Sequence, residues 1–167
     1  MKNPRIEAQS RIASPLGPIT LAATALGLAG AWFDDQAHGP GPIAARIDPA
    51  HPHLALAARE LQAYFDGRLR RFDVALDAEG TPFQRDVWRA LCGIAPGSTT
   101  TYGEIARRIG RPAAVRAVGA AVGRNPLGIV VPCHRVVGSD GALTGYAGGL
   151  ERKRALLALE GADGEAG

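Results

Sequence analysis

Cys133 and His134 stand side by side in Pro132-Cys133-His134-Arg135-Val136-Val137. A thiol is the best uncharged nucleophile a protein owns, and an adjacent imidazole supplies the base that turns it into thiolate. A free cysteine has a pKa of about 8.5, so only a few per cent is ionised at neutral pH. Lowering that value to about 6 would raise the thiolate fraction about thirtyfold, worth about 2 kcal/mol of barrier before lost nucleophilicity is subtracted. Positioning of the electrophile must supply the rest. Adjacent residues on a regular strand point to opposite faces, so His134 reaches Cys133 only in an irregular turn or through a bridging water. Pro132 and the loop-prone Asn125-Pro126-Leu127-Gly128 fit an irregular approach. The competing reading is that Cys133 is a small buried apolar residue, as most cysteines are. A histidine acting as base also needs a third group to fix its tautomer. Glu160, four residues beyond Leu156 on the same helical face, is one candidate; an ordinary solvated acid is the alternative.

These residues lie in a chain of 167, with 46% hydrophobic and 21% charged residues, a composition that places it among soluble globular proteins. It has no apolar run of about 18 residues and no signal-peptide pattern, so the cytoplasm is expected. The two cysteines, Cys92 and Cys133, make no disulfide framework, and Cys92 reads as a buried apolar residue in or after a helix. The net charge of +3 is unevenly spread: residues 1–80 carry eight Lys/Arg against nine Asp/Glu, residues 81–160 eleven against five. A basic second half suggests a polyanionic partner, although a solvated basic face gives the same count.

The first half reads as strands and a helix. Apolar stretches Ile6–Ile12, Ile19–Ala23 and Leu28–Phe33 are separated by turn signals, and His38–Pro42 is a loop. His53–Phe65 carries Leu54, Ala57, Ala58, Leu61 and Phe65 at helical spacing and closes at Gly67. Alternation of Phe72, Val74 and Leu76 predicts a further strand over Arg71–Asp77. The second half opens on a capping box, Thr81-Pro82-Phe83-Gln84, and Thr101-Tyr102-Gly103-Glu104 repeats the box. A helix ending at Gly110 and another starting at Pro112 and ending at Gly123 resemble a helix-turn-helix. Leu150–Glu160 is a last helix with Leu156, Leu157 and Leu159 inward.

Between Thr101 and Arg124 lie five arginines and one acid, Glu104. Guanidinium suits phosphate because it donates paired hydrogen bonds and stays charged. The second helix of the pair is rich in small residues, and Gly119 within it costs about 1 kcal/mol relative to alanine. Close approach to another backbone would offset that cost; packing inside the domain also favours small residues.

Six ordered motifs resemble the O6-alkylguanine-DNA alkyltransferase family: Thr101-Tyr102-Gly103-Glu104-Ile105-Ala106, Arg116-Ala117-Val118-Gly119, Arg124-Asn125-Pro126, Pro132-Cys133-His134-Arg135-Val136, Gly145-Tyr146-Ala147-Gly148-Gly149 and Leu157-Ala158-Leu159-Glu160-Gly161. The likeness is dense from Thr81 to Gly161 and diffuse before it. It implies an N-terminal α/β domain with an RNase H-like sheet and helix over residues 1–80. A mainly α-helical C-terminal domain containing a helix-turn-helix would follow over 81–167. It implies direct-reversal repair of double-stranded DNA: minor-groove binding, rotation of O6-alkylguanine (and O4-alkylthymine) out of the stack, and irreversible transfer of the alkyl group to Cys133. His134, through a water, and Glu160 would take the thiol proton. Tyr102 would press on a phosphate and protonate guanine N3. Arg116 would fill the vacated place, with Thr101, Ala117, Gly119, Ala120, Arg124 and Arg135 also facing DNA. Asn125 would brace the turn, backbone carbonyls of Cys133 and Val136 would read the guanine amine, and Tyr146-Ala147 would cover the base. The thioether product has no good leaving group, so each molecule should act once. The protein is expected to need no cofactor and no metal, and to act as a monomer that binds DNA cooperatively and is nucleoid-associated when bound. Ala147 stands where many relatives have serine. His38, His51 and His53 make a poor zinc set. Rival readings are a non-repairing sensor of alkylated DNA, a helix-turn-helix regulator for which the cysteine motif is idle, and a cysteine hydrolase.

Overall fold

The computed structural model describes residues 5–162 and divides the chain between Glu79 and Gly80 into two compact units; residues 1–4 and 163–167 of the expected domain ranges lie outside the described residues. In the first unit, β1 (Ala8–Ile12), β2 (Ile19–Ala23) and β3 (Leu28–Phe33) form an antiparallel meander. The short β4 (Arg46–Ile47) adds in parallel to β1, giving the order β3-β2-β1-β4. All six residues of β3 are buried. Gly30 is required there: a Cβ at this position would lie 1.8 Å from the Trp32 ring, which folds back over it.

Helix α1 (Pro52–Phe65) packs on β1, β2 and β3 through Leu54, Ala57, Leu61 and Tyr64. His51 caps it, its side chain accepting from the His53 amide, and His51 Nε2 pairs with Glu7 Oε2 at 2.8 Å. The strand expected over Arg71–Asp77 does not form. Its backbone meets the sheet at a single parallel bridge, Leu28 with Leu76, and the buried Glu60 carboxylate accepts the amides of Asp73 and Val74 at 2.8 and 3.0 Å. A side chain thus takes the donors that a strand would give to a neighbour.

The second unit is mainly helical. Helix α2 (Pro82–Leu91) opens on the complete capping box, with Thr81 and Gln84 satisfying each other's amides. Its Trp88 Nε1 donates to the Ala121 carbonyl at 2.8 Å, tying α2 to a later helix. Two-residue strands β5 (Thr100–Thr101) and β6 (Val136–Val137) pair in parallel. That pairing sets the segment around Cys133 beside the start of α3 (Tyr102–Arg108). Thr101 accepts the Glu104 amide at 3.1 Å, but the reciprocal half of the second box is absent among the described residues. The Glu104 carboxylate turns to Arg107 at 2.7 Å instead.

Gly110, at φ +75°, ends α3 in a left-handed turn, with the Arg111 amide bonded to the Ala106 carbonyl and the Gly110 amide to Arg107. The next helix, α4 (Val115–Gly123), starts three residues after the expected Pro112. Arg111 to Ala114 close a turn through the Ala114 amide first, and no side chain caps the helix. Helix α5 (Leu150–Leu159) buries Lys153, Leu156 and Leu157, with Glu160 at its cap. Leu159 is 40% exposed rather than inward, because the i, i+3, i+4, i+7 face is completed by two charged residues, Lys153 and Glu160. Cys92, expected to be buried, is exposed at the C-cap of α2. No helix among the described residues is long and apolar enough to cross a membrane.

Candidate active site

The approach to Cys133 is built by Asn125. Its side-chain oxygen accepts the Leu127 amide at 3.0 Å and its amide nitrogen donates to the Val131 carbonyl at 2.8 Å, all buried. The loop between them holds Ile129 at φ +70°, a conformation rarely taken by β-branched residues, locked by the Val131 amide bonding to the Leu127 carbonyl. The chain then enters a 3₁₀ turn (Cys133–Arg135), the irregular geometry that neighbouring nucleophile and base require. The Asn125 side chain also favours the ionised form of the Cys133 sulfur. The Cys133 carbonyl accepts the Val136 amide, which leaves one of its lone pairs for another donor.

Behind the thiol, His134 is fully buried, and its Nε2 meets Glu160 Oε2 at 2.7 Å. A carboxylate accepts, so Nε2 carries the hydrogen and Nδ1 is the bare basic nitrogen. Nδ1 is a buried polar atom with no hydrogen-bond partner among the described residues, so the ring is oriented with its free lone pair unspent. Glu160 is 6% exposed and is no solvated acid. Arg135 clamps it from the other side, Nε to Oε1 and Nη2 to Oε2, both at 2.8 Å, while Nη1 donates to the Ile94 carbonyl at 2.5 Å. This corrects the expectation that Arg135 faces DNA. Its guanidinium is buried and each of its three nitrogens donates inside the unit, a role that a DNA-contact reading of the arginines misses.

Burial raises the Cys133 thiol above its ordinary range, with Asn125 and Lys153 opposing that shift. The resting group is therefore the protonated thiol, not the thiolate that a lowered pKa would supply. His134 is pushed down, first by burial, with the Glu160 contact pulling it back up. The imidazole is thus neutral and able to accept a proton. A stability consequence follows from linkage. The unfolded histidine titrates near 6.5, and below that pH the unfolded chain binds a proton that the folded one resists. Stability from this site is fully present above about pH 6.5 and is lost as the pH falls below it. Urea unfolding followed at successive pH values should show that loss, and His134→Gln should flatten it.

Of the residues expected to face DNA, Arg116, Ala117, Ala120 and Arg124 are exposed, and Gly119 and Thr101 are half-buried. A Cβ added at Gly119 would meet only the Tyr102 ring, at 3.8 Å, an ordinary contact. Packing of α4 against α3 therefore does not require glycine. Tyr102 is half-buried, its hydroxyl 3.0 Å from Thr144 Oγ1. Tyr146 and Ala147 are half-buried in the segment that leads into α5, and Val136 is fully buried. Sequence reasoning missed Thr144 and Lys153. Lys153 was detectable as a cation three residues before Leu156 on the face turned inward. No cluster of three or more His, Cys, Asp or Glu that could hold a metal occurs among the described residues.

Sequence models of two domains match this chain: the 6-O-methylguanine DNA methyltransferase ribonuclease-like domain over residues 9–78, and the DNA binding domain of the same proteins over residues 82–162. The methylated-DNA–protein-cysteine methyltransferase of Mycobacterium bovis is 51% identical over 149 residues, 89% of each chain. That of Methanosarcina barkeri is 52% identical over 151 residues, covering 89% of this chain and 94% of the relative. The crystal structure of Mycobacterium tuberculosis OGT in complex with DNA superposes with a TM-score of 0.85 at 49% identity, covering 92% of both chains.

Proposed function

The chain belongs to the 6-O-methylguanine DNA methyltransferase family, and from that premise we propose which of its residues carry each part of the reaction. It is a methylated-DNA–protein-cysteine methyltransferase, a DNA-binding protein of direct-reversal repair. The substrate is O6-alkylguanine, and O4-alkylthymine, in duplex DNA approached from the minor groove. The observation that carries the assignment of residues is the buried series Cys133, His134, Glu160, Arg135: a thiol followed by a neutral, oriented base whose far nitrogen is anchored to a clamped carboxylate.

In the reaction, the Cys133 S–H proton passes to His134 Nδ1 through a water. The sulfur lone pair forms a bond to the alkyl carbon as the carbon–O6 bond breaks, its electron pair staying with guanine. Tyr102 protonates guanine N3 while Glu160 steadies the imidazolium, and the proton held by His134 then returns through water to the Tyr102 phenolate. The products are guanine and an S-alkyl cysteine. A thioether has no leaving group at neutral pH, so the protein is consumed after one event. The reaction draws on no cofactor. Asn125 holds the approach to the cysteine, the Cys133 and Val136 carbonyls receive the guanine amine, and Tyr146 and Ala147 cover the base. The protein acts as a monomer in the cytoplasm.

Helix α4 presents the DNA face. Ala117, Gly119 and Ala120 permit close approach of a sugar-phosphate backbone, which supports a functional reason for the glycine where internal packing offers none. Thr101 and Arg124 flank this surface. Arg116, exposed on the same helix, enters the stack as the damaged nucleotide leaves it. Flipping costs a few kcal/mol, so Arg116→Ala should slow transfer from duplex DNA by about 10- to 100-fold while leaving transfer from free O6-benzylguanine within about twofold. Equal losses on the two substrates would remove Arg116 from the wedge role. The reading as a whole is tested by intact-protein mass spectrometry after incubation with duplex containing one O6-methylguanine. A gain of one methyl group, saturating at one per molecule and mapping to Cys133, is the expected result. Tight lesion binding without mass gain would make the protein a sensor instead.

A further inference from the structure

Strand β5 ends at Thr101 and β6 at Val137, and these two residues are partners in the parallel register. The segments that leave them therefore start side by side: Tyr102 opens α3, and Gly138 opens the turn that leads towards α5. That turn is closed by the Gly138 amide on the Ala142 carbonyl at 2.9 Å and by the Ala142 amide on Asp140 Oδ1 at 3.0 Å. Just beyond it, Thr144 is held from several sides. Its carbonyl accepts Lys153 Nζ at 3.0 Å. Its methyl lies over Gly138, where an added Cβ would come within 3.3 Å of Thr144 Cγ2. Its hydroxyl stands 3.0 Å from the Tyr102 hydroxyl. A β-branched side chain has few rotamers, so fixing the backbone and the methyl also fixes the direction of the hydroxyl.

The Tyr102 phenol, by contrast, turns its hydrogen about the C–O bond, and that hydrogen serves one acceptor at a time. When Tyr102 offers it to guanine N3, the phenolic oxygen is left as acceptor towards Thr144, whose own O–H then donates. We propose that Thr144 is the positioning residue for Tyr102: its hydroxyl donates to the phenolic oxygen, directs the phenol hydrogen to guanine N3 and stabilises the phenolate formed when that proton is delivered. The inference rests on the reading of Tyr102 as the proton donor. Thr144 gives up no proton: the Tyr102 O–H bond breaks as N3–H forms, and the proton held by His134 returns through water to the phenolate.

At 3.0 Å the resting contact is at the long end of the O–H···O range. Hydrogen bonds to an ionised oxygen are shorter and stronger than those to a neutral one, so this contact strengthens as the proton leaves Tyr102. An interaction stronger in the transition state than before it accelerates the step.

The experiment measures single-turnover methylation of Cys133 by duplex containing O6-methylguanine, read by intact mass. The proteins are the wild type, Thr144→Val, Thr144→Ser, Tyr102→Phe and the Thr144→Val, Tyr102→Phe double variant. Thr144→Val keeps the branched shape and discards the hydroxyl, and should be about tenfold slower. Thr144→Ser keeps the hydroxyl and discards the methyl, and should stay within about threefold of the wild type. With Tyr102→Phe already present, Thr144→Val should cost no further rate, since the hydroxyl has nothing left to act on. Loop packing alone predicts otherwise: Thr144→Ser as slow as Thr144→Val, and an additive loss in the double variant. Either result, or a Thr144→Val rate equal to the wild type, overturns the proposal. If Thr144→Val lacks a cooperative melt, Thr144→Ala replaces it throughout, with the same expectations. A second duplex, whose O6-methylguanine carries C–H in place of N3, gives Tyr102 nothing to protonate. On that substrate the wild type and Thr144→Val should react equally, and a persisting gap overturns the proposal. Equal wild-type and Tyr102→Phe rates on O6-methylguanine would instead sink the reading of Tyr102 as proton donor, and this inference with it.

Discussion

Cys133→Ala is expected to take up no alkyl mass from O6-methylguanine duplex while binding that duplex within about threefold of the wild type. The first half of that expectation follows from the chemistry. Cys133 is the thiol beside His134, and the remaining cysteine, Cys92, is exposed at the far end of α2. The second half follows from burial. Cys133 is 6% exposed and lies in the turn Cys133–Arg135, outside α4, so the DNA face keeps its shape. Alanine removes one sulfur from a packed site, a loss of about 1 kcal/mol. It also relieves the desolvated thiol of any need to ionise. Intact mass and fluorescence-anisotropy binding, run on the same preparation, read both halves. Residual methylation would assign the nucleophile elsewhere. A collapse of binding would mean that the turn and the DNA face fold as one piece.

Much of this arrangement is legible in the chain because it depends on short-range rules. Pro-Cys-His announces an irregular turn, Thr81 and Gln84 announce a helix start, and Gly110 announces a helix end at a conformation only glycine takes cheaply. Glu160 could be placed on the inward face by counting from Leu156. What was not legible depends on partners far apart in sequence. Arg135 reads as one more basic residue until the turn after α2 supplies the Ile94 carbonyl and the cap of α5 supplies Glu160. The Arg71–Asp77 alternation has the pattern of a strand, and only the distant Glu60 carboxylate shows why the Asp73 and Val74 amides do not enter the sheet. Direction of the thiol's pKa is of the same kind. A neighbouring histidine suggests activation, whereas the burial that opposes it is a property of the whole unit.

The Arg135–Glu160 clamp separates stability from catalysis. Arg135→Met should destabilise the protein by about 3–5 kcal/mol, because it leaves the Glu160 carboxylate buried with a neutral imidazole as its main remaining partner. For a chain of this size that loss corresponds to a drop of roughly 6–20 °C in the melting temperature. Removing both charges is a different perturbation. Arg135→Met combined with Glu160→Leu exchanges a desolvated ion pair for apolar groups of comparable bulk, and such exchanges are often neutral or stabilising. The double variant should therefore recover most of the stability that the single one loses, a coupling of at least about 2 kcal/mol. It should not recover transfer, because His134 Nε2 would then have no carboxylate to fix its tautomer and to stabilise the imidazolium. Chemical denaturation and single-turnover methylation of the two variants measure the two effects independently. A single variant that costs under about 1 kcal/mol would mean that Glu160 is solvated after all. A double variant that regains both stability and rate would show that His134 works as a base without the acid behind it.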